Sequence, residues 1–132
     1  GNVVKMLDKV AIVTGAGSGI GKAVALRYAA EGALVVAADR DGAAADQTAT
    51  DIGAASGEAM PFAVDVTDRA AVQAMVDAAV GRFGGIDILF NGAGVFRLGR
   101  FLDITEADWN FNVDVNCKGT LWCAEAAARR MI

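Results

Sequence analysis

Histidine is absent from the 132 residues of this chain. That removes the commonest metal ligand and the commonest general base among side chains. Clustered positive charge is missing too: the net charge is −4, and Arg129-Arg130 is the only adjacent basic pair. A nucleic-acid polymer is therefore not an expected partner. The chain is 55% hydrophobic with one proline, yet it has no apolar run long enough to cross a bilayer. This composition describes a soluble globular domain and leaves no place for a membrane partner. Cys117 and Cys123 stand six apart in a predicted helix and point to different faces. They read as small core residues rather than a disulfide or a metal pair. Gly1–Lys9 lacks the long apolar stretch of a secretory signal, so the cytoplasm is the expected compartment. The length suits one domain with a real core, not two.

Glycine, by contrast, is abundant and concentrated. Val10-Ala-Ile-Val-Thr14 is an apolar run, and glycines follow at 15, 17, 19 and 21. Lys22-Ala-Val-Ala-Leu-Arg-Tyr-Ala-Ala30 then reads as helix. Strand, glycine turn and helix together make a site for a phosphate-bearing nucleotide. Backbone without Cβ atoms can approach an anion closely, and the helix start offers unpaired N–H groups and partial positive charge.

The same alternation runs along the chain. Apolar runs predict strands at Val10–Thr14, Leu34–Ala38, Met60–Val64 and Ile86–Phe90. They are continuous rather than alternating, as parallel strands covered on both faces should be. Helices are predicted over Gly19–Glu31, Gly42–Ala54, Asp68–Phe83 and Glu106–Met131. Gly32 suits a helix end, Thr67 or Asp68 a cap, and Thr105-Glu-Ala-Asp108 resembles a capping box. Four βα units with short links predict an α/β fold with a doubly wound parallel sheet.

The turn is not a G-x-G-x-x-G sequence; its spacing is Thr14-Gly15-x-x-x-Gly19-x-Gly21. Further landmarks follow in order: Asp39, Asp65-Val66, Asn91-Gly92-Ala93-Gly94 and Asn116. In this set and order the chain resembles the short-chain dehydrogenase/reductase family. The resemblance implies a Rossmann-type fold, a nicotinamide cofactor, and hydride transfer to or from a small alcohol or carbonyl substrate.

Gly15, Gly19 and Gly21 are expected beneath the cofactor pyrophosphate. Asp39 stands twenty residues after Gly19 at a strand end, where a carboxylate accepts from both ribose hydroxyls and repels a 2′-phosphate. This favours NAD over NADP; a solvated loop acid is the plainer alternative. Arg40 could accommodate a phosphate, whereas Ser18 stands where NADP-preferring relatives often carry a basic residue. By resemblance, Asp65 and Val66 contact the adenine; Asp65 could instead, or as well, cap the helix that follows. Asn91-Gly92-Ala93-Gly94 resembles the family's Asn-Asn-Ala-Gly with Gly92 replacing the second asparagine, and its small residues keep a strand end open. Ile20 and Val66 are either apolar flanks of the cofactor or core. Asn116 matches the family's catalytic asparagine, whose carbonyl holds a water of the proton relay. A helix kink or an inter-helix hydrogen bond is the bland alternative for it. Phe96–Phe101, with Arg97 and Arg100, reads as a loop bordering substrate or simply solvated. Trp109, Phe111 and Trp122 read as packing or interface residues.

The family's Tyr-x-x-x-Lys pair is not found, because the one tyrosine, Tyr28, has Gly32 four positions later. Residues 1–132 are thus expected to form the cofactor-binding domain, incomplete at its C-terminal side, with the remainder supplied downstream or by a second polypeptide. Ending the sheet at Ile86–Phe90 would leave a bare apolar edge. The resemblance also implies that the last helix pairs with a symmetry mate in a homodimer or homotetramer. A dinucleotide-binding or redox-sensing module without turnover is the alternative function.

Overall fold

The computed structural model describes residues 6–91 and the backbone of 94–97. Its elements follow in the order β1 (Val10–Thr14), α1 (Gly19–Ala30), β2 (Leu34–Asp39), α2 (Gly42–Ala54), β3 (Glu58–Ala63), α3 (Arg69–Phe83), β4 (Ile88–Asn91) and β5 (Gly94–Arg97). They form one sheet in the order β3-β2-β1-β4-β5. The first four strands of that order are mutually parallel. The α/β doubly wound architecture expected from the apolar runs is what forms.

Strand β1 explains why those runs are continuous. All five of its residues are buried. Ile12 packs with Val72, Met75, Val76 and Leu89 in one core. Ala11 and Val13 pack with Ala25, Ala29 and Ile52 in the core on the opposite face. Both faces are covered, and the one polar residue, Thr14, donates its hydroxyl to the Phe90 carbonyl at 3.4 Å. Each fully buried valine or isoleucine side chain contributes on the order of 1.5–3 kcal/mol.

The helix ends follow local chemistry. Asp41 caps α2 by accepting the Ala44 N–H at 3.1 Å, and Asp68 caps α3 by accepting the Ala71 N–H at 3.1 Å. Helix α3 stops at Gly84 in the left-handed region, φ +89. Of the two candidates, Asp68 rather than Thr67 is the cap.

Besides one-residue shifts at several ends, three features differ from expectation. Strand β3 begins at Glu58, two residues early, because it is the sheet edge and an exposed glutamate is tolerated there. Strand β4 begins at Ile88 rather than Ile86. Asp87 bonds to β1 another way, its carboxylate accepting the Val10 N–H and its own N–H donating to the Val10 carbonyl, both at 2.9 Å. The third difference is a correction. Strand β4 is not a bare edge, since the chain reverses after Asn91 and β5 pairs with it antiparallel, Ile88 opposite Arg97 and Asn91 opposite Gly94. Phe96 and Arg97 therefore belong to a strand, not to the expected loop. The fourth predicted helix, Glu106–Met131, lies outside the described residues.

Candidate functional site

From β1 the chain winds outward to β2 and β3, then returns to place β4 on the other side of β1. That reversal opens a crevice at the carboxyl ends of the parallel strands, where ligands of doubly wound sheets bind. A cleft of about 320 Å³ lies there. Gly15, Asp39, Arg40, Asp65, Val66 and Asn91, six of the residues singled out from sequence, line it together with Thr14 and Thr67.

The turn joining β1 to α1 has the backbone that its glycines allow. Gly15 and Gly19 adopt φ of +69° and +58°, a region that side chains disfavour. Gly21 is needed for closeness instead: a Cβ there would strike the Gly15 carbonyl oxygen. Helix α1 thus begins directly against the turn. Its N-cap, Ser18, makes no side-chain capping bond, and its first turn has no acidic residue. The opening N–H groups of a helix have no partner within it. At α2 and α3 a carboxylate serves that end; at α1 the end is open to an outside anion.

Asp39 ends β2 beside this turn. Its Oδ2 accepts the Gly17 N–H at 2.8 Å, and its Oδ1 accepts the Asp41 N–H at 2.9 Å. The carboxylate is therefore fixed in place and is not a freely solvated loop acid. Arg40, next along, projects into solvent with its side chain 83% exposed and lies 3.6 Å from Asp65 Oδ2. Asp65 does not cap α3. Its Oδ1 accepts both the Thr67 hydroxyl, at 2.6 Å, and the Thr67 N–H, at 2.9 Å. Those two bonds, the hydroxyl's first, with a smaller contribution from Arg40, hold the Asp65 carboxyl below its ordinary range.

A family model described as "short chain dehydrogenase" matches residues 9–132. The chain belongs to the short-chain dehydrogenase family. Among its relatives is the D-threitol dehydrogenase of Mycolicibacterium smegmatis, 44% identical over 94% of this chain and 48% of the relative. A short-chain type dehydrogenase/reductase from Mycobacterium marinum superposes with a TM-score of 0.77 at 39% identity, over 98% of this chain and 52% of that one. A 7α-hydroxysteroid dehydrogenase, solved with NADH and 7-oxo glycochenodeoxycholic acid, gives a TM-score of 0.77 at 31% identity, over 98% of this chain and 50% of that one. The chain thus spans about half the length of the relatives it matches.

The other family landmarks are placed as follows. Ser18, Gly19, Ile20 and Gly21 form the N-terminal end of α1 and are not part of the cleft wall. Ile20 is 78% exposed, so it is not core. Val66 lines the cleft and also packs on the α3-side core. Asn91, buried at the end of β4, reaches the cleft, and Gly94 starts β5. Gly92, Ala93 and Asn116 lie outside the described residues, as do Arg100, Trp109, Phe111 and Trp122. Among the described residues, no His/Cys/Asp/Glu group could hold a metal ion, and no helix is long and apolar enough to cross a membrane.

One residue escaped the sequence reading. Thr48, fully buried on α2, donates its hydroxyl to the Ala16 carbonyl in the glycine turn at 2.8 Å. The available signal was a hydroxyl at a core position of an alanine-rich helix.

Proposed function

We propose that this chain is the NAD-binding portion of an oxidoreductase moving hydride between a nicotinamide cofactor and an alcohol or carbonyl substrate. The observation carrying this reading is Asp39, a carboxylate clamped by two backbone N–H groups beside a glycine turn whose helix end is open. A diphosphate suits the turn, because Gly21 lets α1 start against the Gly15 carbonyl and α1 presents N–H groups without a side-chain cap. The fixed carboxylate fits two ribose hydroxyls and opposes a 2′-phosphate, which favours NAD over NADP.

When bound, the nicotinamide supplies the hydride acceptor or donor. This chain's residues bind and orient. Gly15, Gly19 and Gly21 shape the diphosphate cradle, with the Ser18 and Ile20 backbone at its helix end. Asp39 takes the ribose, with Arg40 at its edge. Asp65 and Val66 face the adenine, and Asn91, Gly92, Ala93 and Gly94 are assigned to keep the β4 end open beside the cofactor. Asn116 is assigned the relay role that the family's asparagine has. Tyr28 lies within α1, so the family's Tyr-x-x-x-Lys acid–base pair is assigned to residues outside these 132. Pairing through the segment 106–131 would make the protein a homodimer or homotetramer.

A hydroxyl-bearing substrate is supported by relatives named for D-threitol and for a hydroxysteroid. The test is calorimetric titration of the natural protein with NAD and NADP, followed by NAD reduction over a panel of secondary alcohols. Tighter NAD binding with turnover is expected. Tighter NADP binding would overturn the role of Asp39, and NAD binding without turnover would favour a sensing module.

A further inference from the structure

Helix α2 buries Ala45, Thr48 and Ile52 against the sheet, so a lone hydroxyl sits in a hydrocarbon face. Thr48 is 0% exposed. Burying a hydroxyl where valine would pack is unfavourable unless it is hydrogen-bonded. Within a helix such a hydroxyl usually returns to the carbonyl one turn earlier. Thr48 instead reaches the Ala16 carbonyl, 32 positions away in sequence, at 2.8 Å.

The Ala16 carbonyl and the Gly17 N–H belong to one planar peptide unit. Thr48 holds the oxygen end of that unit from α2, and Asp39 holds the nitrogen end from β2 at 2.8 Å. The preceding unit is fixed as well, through the Ala16 N–H to the Ala38 carbonyl at 2.9 Å. A turn with Gly15 and Gly19 at positive φ is free to rotate its peptides at low cost. Rotation of the Ala16–Gly17 unit would redirect the neighbouring N–H groups that an anion must meet.

We infer that Thr48 is a positioning residue for the cofactor diphosphate, locking the Ala16–Gly17 peptide so that the glycine turn is preorganised. The inference rests on the cofactor reading above. It predicts an energetic link between α2, which lines no part of the cleft, and the affinity of the turn.

The test is calorimetric binding of NAD and NADP to the natural protein, its Thr48→Val variant and its Thr48→Ser variant, well below each melting temperature. Thr48→Val should weaken both dinucleotides by the same factor, about 5- to 10-fold, because the diphosphate is common to both. The NAD-to-NADP ratio should not change, and Thr48→Ser should stay within about twofold of the natural protein. Thr48→Ala carries the same test if the valine variant does not fold. A valine or alanine variant that melts earlier but binds NAD normally would overturn the inference, reducing Thr48 to a packing residue. A natural protein that binds neither dinucleotide would overturn the cofactor reading, and the inference with it.

Discussion

Asp39 Oδ2 lies 2.8 Å from the Gly17 backbone nitrogen, and a Cβ added to Gly17 would lie 2.9 Å from the same oxygen. The carboxylate therefore does two jobs: it holds the glycine turn and it faces the cleft. One substitution tests both. Asp39→Ser removes the charge that opposes a 2′-phosphate together with the acceptor of Gly17. NAD affinity should fall by about 10- to 100-fold, the worth of charge-assisted hydrogen bonds, while the NAD-to-NADP ratio moves toward NADP. Titration with both cofactors checks this; an unchanged ratio would show that Asp39 does not read the ribose.

Gly21→Ala should be costly although the substitution is small. The new methyl meets the Gly15 carbonyl oxygen and lies 2.6 Å from its carbon, and backbone cannot swing aside as a flexible side chain can. Overpacking of this kind costs about 1–3 kcal/mol. Thermal denaturation should report it, along with loss of NAD binding. Gly53→Ala, with nothing within 4 Å of the added carbon, is the control expected to fold normally.

Asp87 supplies a different test, far from the cofactor. Its carboxylate accepts from Val10, which is only 3% exposed, so Asp87→Ala leaves a buried N–H without its acceptor. Destabilisation of about 1–3 kcal/mol is expected, and less for Asp87→Asn, which retains an acceptor oxygen. Chemical denaturation measures both.

The Asp65 carboxyl should titrate below the usual aspartate value of about 3.9, because Thr67 hydrogen-bonds its charged form. A group depressed in the folded state contributes stability above its unfolded pKa and loses it as pH falls through the folded value. Its contribution is therefore complete at neutral pH and is lost as pH falls through the lowered folded value. Carboxyl-detected NMR on the natural protein and on Thr67→Val checks the cause. The Asp65 midpoint should rise in the variant.

The sheet was legible where burial alone decides structure. Val10–Thr14 had to be a strand covered on both faces, because all five residues sit between two helix layers. Gly42–Ala54 was legible as a crossover helix, whereas its Asp41 cap was found only in the structure. Strand β5 was not legible. Gly94–Arg97 is short and carries no strong strand pattern, and its state depends on the backbone of β4 lying open beside it. In the candidate site, the glycines and Asp39 were readable from spacing because backbone geometry dictates them. Thr48 was not, because its role comes from the crossing of α2 over the turn. That Asp65 is not the α3 cap could be read only from the structure, where Asp68 takes the Ala71 N–H and the Thr67 hydroxyl and N–H turn back onto the Asp65 carboxylate.

The central claim, that amides of the glycine turn embrace a diphosphate, is tested most directly by backbone amide NMR of the natural protein titrated with NAD. The largest shifts are predicted at residues 15–21, with a second set at 65–67. Largest shifts at Gly84–Asp87, in the groove at the opposite end of β1, with the turn unmoved, would contradict the account.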